Sequence, residues 1–301
     1  MKNLKRILVI VDPTVERDFV IDRLNNILQD NNAEVRFFIN SVNTLTPQSY
    51  AYEGMDHAFF ETQRQLFIEH YSKILDELVA EFEGKGFRVS ATFSEAPHLA
   101  DSIIEQVKEF DPDLVLKSTH HHSVLRRSLI TNTDWQLIRK CKKPLLLVKP
   151  RDWIESGSVV AAVDPLHVKA QQSRLDHLLV ENAIEMAKQL HLTARIFHCY
   201  YPFVSSMFPT VSETSQQIKE IRRRHEVAMT DLLASYSIEP GNVSITRGDL
   251  IPSLIKFLEK SGANILVIGA LSRNVIERAI VGNTAEKILD DCPCDVLVIR
   301  S

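Results

Sequence analysis

The stretch ILVIVDP, residues 7–13, decides the fold: a short aliphatic run typical of a buried strand ends in an Asp-Pro pair. The same arrangement returns as VVAAVDP at residues 159–165. The two aspartates, Asp12 and Asp164, are 152 residues apart (164 − 12). A strand with the same ending at two distant places indicates an internal repeat.

A second pair of segments supports the repeat. LIRKCKKPLLLVKP and KILDDCPCDVLVIR align Cys141 with Cys292, at an offset of 151 residues (292 − 141). Because the two offsets differ by one residue, one duplicated unit of about 150 residues explains both. We therefore predict two tandem domains, residues 1–152 and 153–301, with their junction near KPRDWIESGS.

Within each unit, short β-branched runs alternate with long helical patterns, which is typical of an α/β fold with a parallel sheet covered on both faces. The longest helical patterns, Gln63–Phe82 and Ser215–Ser235, have the apolar spacing of core-facing helices. The predicted strands are Ile7–Val11, Val35–Ile39, Arg88–Thr92, Leu114–Leu116 and Leu145–Val148 in the first unit, and Val159–Val163, Ala194–His198, Val243–Thr246, Ile265–Ile268 and Val296–Ile299 in the second.

Composition excludes several classes of function. The 301 residues are 45% hydrophobic and carry a formal net charge of −4, which argues against a general nucleic-acid partner. The first apolar run is too short for a signal peptide, and no stretch approaches the roughly 18 apolar residues of a membrane span. Four widely spread cysteines are typical of reduced thiols. We therefore expect a cytoplasmic protein without membrane insertion.

The segment GALSRNVIERAIVGNTAEK, which starts at Gly269, follows the apolar run NILVI and leads into a helical pattern. It has the spacing Gly269-x2-Ser272-x9-Gly282, followed by Asn283 and Thr284. A glycine at a strand exit permits close approach of a ligand, and free N–H groups at a helix N-terminus favour an anion. The alternative is an ordinary turn followed by a capped helix.

A strand that ends in aspartate, a repeated α/β unit and this glycine-flanked loop resemble the universal stress protein family. The duplication is similar to that of its tandem, E-type members from enteric bacteria. Nucleotide-binding members show Gly-x2-Gly-x9-Gly followed by Ser or Thr, whereas here Ser272 replaces the second glycine and Asn283 precedes Thr284. The resemblance implies two doubly wound five-stranded parallel sheets of the adenine nucleotide alpha hydrolase-like type, in the order 3-2-1-4-5.

The resemblance also implies that the two units form an internal pseudo-dimer about a two-fold axis, with the strands Leu145–Val148 and Val296–Ile299 at the interface. A further dimerisation of the whole chain is compatible with the sequence.

The resemblance further implies roles for residues of the second unit. Asp164 would contact the ribose or a phosphate-bound Mg²⁺, Pro165 follows it in the turn, and the backbone of Cys199 would meet the adenine edge. For Asp164 the alternative is a side chain that caps its own turn. The phosphates of ATP or a related nucleotide would be held by Gly269, Ser272, Gly282, Asn283 and Thr284.

The corresponding loop of the first unit has lost its glycines. With one extra residue allowed, Lys117 takes the position of the first glycine, His120 that of the second and Thr131 that of the third. Each glycine that permits close backbone contact has thus gained a side chain. We therefore expect that the first unit does not bind a nucleotide in the manner of the family.

His120 and His122 lie in KSTHHHS, at the expected strand end, where strand alternation would point both in the same direction. With a further ligand from Asp12 or His98 they would form a Zn²⁺ site. The alternative is a polar surface turn, because the spacing matches no established zinc signature.

Three functions remain open from the sequence. The first is a stress-response protein whose C-terminal half binds ATP or a related nucleotide-containing ligand, and here the resemblance implies a role in resistance to DNA damage. The second is a slow ATPase, although the loop has no Walker lysine and no Ser-His-Asp order stands out. The third is a ligand-free interaction scaffold.

Overall fold

The chain divides into two compact units, Asn3–Pro150 and Arg151–Ser301. Each unit has its own parallel sheet and its own helices. Among the helices in the described ranges, none is long and apolar enough to cross a membrane. The structure, a computed structural model, describes residues 4–15, 18–41, 57–119, 131–166, 170–201, 215–270 and 288–300.

The first unit is a parallel sheet with the strand order β3-β2-β1-β4-β5. Its described strands are β1 (Arg6–Ile10), β2 (Glu34–Asn40), β3 (Val89–Ser94), β4 (Leu114–Ser118) and β5 (Leu145–Val148). Its described helices are α1 (Phe19–Leu28), α2 (His57–Gly84), α3 (Leu99–Phe110) and α4 (Asn132–Lys140).

The second unit repeats this arrangement, with the parallel strand order β8-β7-β6-β9-β10. Its described strands are β6 (Ser158–Ala162), β7 (Thr193–Tyr200), β8 (Val243–Arg247), β9 (Ala263–Gly269) and β10 (Asp295–Ile299). Its described helices are α5 (Ala170–Gln189), α6 (Ser215–Leu233) and α7 (Leu250–Lys260). The predicted α/β fold and the order 3-2-1-4-5 are confirmed in both units.

The position of each strand in its sheet follows from its residues. The strands β1 (RILVI) and β9 (ANILVIG) are apolar and almost entirely buried, as strands covered by helices on both faces must be. By contrast β3 (VSATFS) and β8 (VSITR) contain Ser and Thr, and their residues are partly exposed. The sequence therefore marks the central strands by continuous hydrophobicity, and the outer strands β3 and β8 by alternation of apolar and polar residues.

Aromatic contacts fix the helices on the sheets. In the first unit Phe82 of α2 packs edge-on against Phe37 of β2, with ring centroids 5.3 Å apart. In the second unit Phe257 of α7 lies against Phe197 of β7 at 5.0 Å. Such pairs add about 0.5–1.5 kcal/mol to the hydrophobic gain of burial.

Because all strands of a parallel sheet run in one direction, their carboxyl ends open at the same edge, where ligands of open α/β sheets bind. In the first unit this edge carries Asp12 after β1 and Lys117 near the end of β4. In the second unit it carries Asp164 after β6 and Gly269 at the end of β9. Asp12, Asp164 and Gly269 are among the predicted ligand residues that the structure describes.

Candidate functional site

An aspartate starts the turn at the carboxyl end of the first strand in each unit. In the first unit, Oδ1 of Asp12 accepts hydrogen bonds from the Thr14 N–H (3.0 Å) and from the Thr14 hydroxyl. In the second unit, Pro165 and Leu166 form the turn, and the side chain of Asp164 is 61% exposed. The carboxylate of Asp12 therefore stabilises its own turn, and the side chain of Asp164 is largely exposed.

A second carboxylate supports each of these turns. The Asp12 N–H donates to Oδ2 of Asp18 (3.2 Å), and the Asp164 N–H donates to Oδ1 of Asp176 (3.1 Å). Asp18 is also the N-cap of α1 and accepts the Ser118 hydroxyl from β4. Both units thus hold the strand-end aspartate through an aspartate of the following helix, at the N-cap of α1 in the first unit and inside α5 in the second.

Sequence reasoning missed Asp18 and Asp176 because their spacing differs between the units. The supporting aspartate follows the strand-end aspartate by 6 residues in the first unit and by 12 in the second. A repeat alignment with a fixed offset therefore does not superpose them. The available signal was an aspartate near the helix that follows each Asp-Pro turn.

A pair of histidines, of which His198 is buried and His225 is partly exposed, lies beside Asp164. His198 of β7 is 1% exposed, and its Nδ1 lies 3.0 Å from the Val163 carbonyl oxygen and 4.0 Å from Oδ1 of Asp164. Its Nε2 lies 2.8 Å from Nδ1 of His225 on α6. The His225 ring in turn stacks on Tyr200, with centroids 4.1 Å apart and ring planes 16° apart.

The hydrogen-bond partners determine where the protons of this pair lie. A carbonyl oxygen only accepts, so Nδ1 of His198 carries a proton and donates it to Val163. In the neutral pair Nε2 of His198 is then an acceptor, and His225 donates from its Nδ1. Burial, followed by the nearby charge of His198, lowers the pKa of His225 below its usual value, and Asp164 partly opposes this. His225 therefore favours its neutral state.

Two further predicted site residues of the second unit are well positioned by packing. Cys199 on β7 donates its S–H to the Gly248 carbonyl (3.3 Å), and burial raises the pKa of its thiol. Gly269 ends β9 in a backbone conformation that does not require glycine, but a Cβ there would lie only 2.6 Å from Cδ2 of Leu175 on α5. Gly269 thus permits the close packing of α5 against the strand exit.

In the first unit, a buried ion pair joins the end of β4 to the first turn of α4. Nζ of Lys117, near the end of β4, lies 2.8 Å from Oδ1 of Asp134 in the first turn of α4. The distance is that of an ion pair, although Oδ1 accepts no hydrogen bond of acceptable angle. Lys117 also donates to the Ser118 carbonyl (2.9 Å). Thr131 is the N-cap of α4, and its backbone N–H donates to Oδ2 of Asp134 (2.7 Å).

A cleft of about 50 Å³ lies at the carboxyl ends of β1, β2 and β4 in the first unit. Ligand pockets for small molecules usually have volumes of about 300–1,000 Å³. The volume enclosed by the described residues is therefore below that of a usual small-molecule pocket. Its polar lining residues are Asp12, Thr14, Asn40, Tyr71, Lys117 and Ser118.

A sequence profile of the universal stress protein family matches residues 3–149 and again residues 158–300. This chain belongs to the universal stress protein family. The two matches also confirm the tandem organisation that the repeat predicted.

Named relatives agree with this assignment. Universal stress protein E of Escherichia coli K12 is 33% identical over 207 residues, which cover 66% of this chain and 64% of that protein. Universal stress protein E of Photorhabdus laumondii is 27% identical over 314 residues, which cover 100% of this chain and 96% of that protein. The predicted similarity to E-type members is therefore confirmed.

Solved structures show the same fold. A functionally unknown protein from Pseudomonas aeruginosa PAO1 is 22% identical with a TM-score of 0.75, and the match covers 99% of this chain and 92% of that one. A universal stress protein from Archaeoglobus fulgidus is 17% identical with a TM-score of 0.62, and the match covers 98% of both chains. At these identities the likeness supports the fold alone.

Several predicted site residues of this universal stress protein lie outside the described residues. The structure brings Asp164, Pro165, Cys199 and Gly269 to the strand exits of the second unit. Outside the described ranges lie Ser272, Gly282, Asn283 and Thr284 of the glycine loop, and His120 and His122 of the predicted zinc site.

For the zinc site, only the two further ligand candidates are described. Asp12 stabilises the turn at Thr14, and His98 is the N-cap of α3. Among the described residues, no group of three or more His, Cys, Asp or Glu side chains could hold a metal ion. Zinc binding through His120 and His122 stays a prediction.

Proposed function

We propose that the C-terminal half of this universal stress protein binds ATP or a related nucleotide-containing ligand, and that the N-terminal half does not. Membership of the family supports a role in the stress response. The ligand-bound state would act as the signal or the protective form. Resistance to DNA-damaging stress is proposed as one outcome, on the basis of the resemblance to E-type members.

The observation that carries this proposal is the difference between the two strand exits. At the end of β9 the residue is Gly269, which has no side chain, whereas Lys117 of β4 forms a buried ion pair with Asp134. Gly269 brings neither a side chain nor a charge to its strand exit, although Leu175 of α5 packs close to its Cα, whereas the exit of β4 carries a buried ion pair. The spacing from Gly269 to Gly282 follows the nucleotide-binding pattern of the family.

The surroundings of Asp164 fit a nucleotide. Ala161 of β6 pairs with Val267 of β9, so the exits of these two strands lie side by side. The exposed carboxylate of Asp164 suits a ribose hydroxyl, or the Mg²⁺ that a nucleotide carries on its phosphates. Asp176 holds the backbone at Asp164 in place, so this carboxylate is presented in a fixed position.

The same observations favour binding over chemistry. Phosphoryl transfer usually needs a lysine or arginine on the transferred phosphate and a residue that positions the attacking group. The loop has no Walker lysine, and His198, which lies beside Asp164, donates to a backbone carbonyl. Hydrolysis of ATP is therefore the less favoured function, and a ligand-free scaffold is the outcome if no ligand binds.

The matched aspartates offer a direct test. We expect Asp164→Ala to weaken the binding of Mg-ATP by at least about tenfold, because a hydrogen bond to a charged group contributes about 1.5–3 kcal/mol. Asp12→Ala should leave the affinity unchanged. Equilibrium dialysis with both variants measures the effect, after copurified ligand has been removed and identified by mass spectrometry.

The control is the thermal stability of each variant, since Asp12 stabilises its turn and its loss should lower Tm slightly. Binding is compared at a temperature at which both variants are folded. Weaker binding by the Asp12 variant alone would place the ligand in the first unit instead. If the unaltered protein does not bind Mg-ATP, the result favours the ligand-free scaffold.

A further inference from the structure

We propose that the N-terminal half contains an anion site that the protein fills with its own Asp134 carboxylate. The cation of this site is the ammonium group of Lys117. When the Asp134 carboxylate is removed, a small free carboxylate should bind in its place. This inference concerns the half that does not bind nucleotide, and it holds whether or not the C-terminal half binds one.

Both members of the Lys117–Asp134 ion pair are buried. Asp134 is 0% exposed and Lys117 is 8% exposed, and their charged atoms are 2.8 Å apart. A buried charge is costly unless an opposite charge or hydrogen bonds offset the lost hydration. Each of these two groups therefore requires the other.

Besides Lys117, the start of α4 also stabilises the Asp134 carboxylate. Oδ2 of Asp134 accepts the Thr131 N–H (2.7 Å) and the Thr131 hydroxyl (2.8 Å), while the Asp134 N–H donates to Oγ1 of Thr131 (3.2 Å). The negative charge consequently lies at the positive end of the helix. By contrast Oδ1 is buried and accepts no hydrogen bond, so this oxygen is held mainly by the charge of Lys117.

The repeat shows what this pair replaces. In the alignment of the two halves, Lys117 takes the position of Gly269, and Asp134 takes that of Ala285. One half has a cation and an anion at the positions where the other half has a hydrogen and a methyl group. The two substitutions are complementary in charge, because either one alone would bury an unpaired ion.

In the N-terminal half, the charge of Lys117 is therefore already neutralised by Asp134. Lys117 lines the cleft of the first unit, but its ammonium group contacts Asp134 and the Ser118 carbonyl. A phosphate entering this cleft would have to displace a carboxylate that the chain keeps at a very high effective concentration. The ion pair therefore explains why this strand exit should not hold a nucleotide.

Chemical rescue tests the proposal, with sodium formate as the probe. Asp134→Ala deletes a carboxylate and leaves a space in which formate fits beside Lys117. The double variant Lys117→Met/Asp134→Ala is the matched control, because it has a similar space without the cation. The chain has one tryptophan near this site, Trp135, and a second in the other unit, Trp153, so their indole NMR signals report separately.

We expect formate to shift the Trp135 signal of the Asp134→Ala protein saturably, with a Kd in the millimolar range, about the limit for a ligand of three heavy atoms. The Trp153 signal should not move. The substitution should lower Tm by about 10 °C, and formate at ten times its Kd should restore about 3–5 °C. Sodium chloride at the same concentration should restore none of this.

The proposal is overturned if formate acts no better than chloride, or if the double variant binds formate equally well. It is also overturned if the unaltered protein gives the same saturable shift, since its site would then not be filled. Should the Asp134→Ala protein fail to fold in chloride, its refolding yield in formate replaces the titration. Equal yields in the two salts would then contradict the proposal.

Discussion

The exits of β4 and β9 occupy the same place in two copies of one fold, but they are built in opposite ways. The exit of β4 carries Lys117, whose charge is buried against Asp134. The exit of β9 carries Gly269, which leaves room for α5 to pack against it. The comparison teaches that a duplicated domain can keep its strand order while one copy has a glycine at a strand exit and the other a lysine in an internal ion pair.

The two halves are alike at the turn that follows their first strand, β1 in one half and β6 in the other. In both, the backbone N–H of the strand-end aspartate donates to a second aspartate, Asp18 in one half and Asp176 in the other. This shared contact shapes the turn in either half and needs no ligand. The halves therefore differ in the loop that would meet phosphates and agree in the turn that supports it.

The largest difference between the two halves is expected from Lys117→Met, which should lower the stability of the first half alone. Removal of the ammonium group leaves Asp134 as a buried, unpaired carboxylate, which should destabilise the first half by about 3–5 kcal/mol. Urea unfolding followed through the Trp135 signal measures the loss, and the Trp153 signal of the second half should be unaffected. A loss below about 1 kcal/mol, as at an exposed ion pair, would show that the pair is not a structural anchor.

A smaller effect is expected in the second half when the pH falls from 7.5 to 5.5. The pKa of His225 is lowered in the folded protein by burial and by His198, whereas the unfolded chain has the ordinary value near 6.5. Below that value the unfolded state binds more protons. This contribution to stability is therefore complete above about pH 6.5, and it is lost as the pH falls toward the lower pKa of the folded state.

The groups that face His225 are His198 and Tyr200 from β7 and Asp164 from the β6 exit. His225→Gln keeps a hydrogen-bond donor for His198 but does not titrate in this range. The Tm of the second half should fall less between pH 7.5 and 5.5 in this variant than in the unaltered protein. The same pH dependence in both proteins would show that His225 is not the titrating group.

Much of the fold could be predicted from the sequence, because its signals are local. Apolar runs such as ILVIV mark buried strands, and the paired Asp-Pro endings reveal the repeat without any long-range contact. The ends of strands were predicted less well than their existence: Arg88–Thr92 was predicted where β3 covers Val89–Ser94. Ser and Thr are compatible with both a strand and a loop, so the pattern does not fix that boundary.

The site was harder to predict, because its contacts join residues far apart in the chain. The alignment placed Lys117 opposite Gly269, but nothing local indicates that its ammonium group reaches Asp134. Likewise His198 and His225 are 27 residues apart and meet only when α6 packs on β7. Residue types at strand ends are visible in a sequence, whereas the partners that neutralise them depend on packing.

The central claim is that one half binds a nucleotide and the other does not, and calorimetric titration with Mg-ATP tests it most directly. After removal of any copurified ligand, the account predicts one site per chain. Gly282→Val, which puts a branched side chain where a phosphate must approach, should weaken that site more than about tenfold, or about 1.4 kcal/mol. Two equivalent sites, or undiminished binding by the Gly282→Val protein, would contradict it.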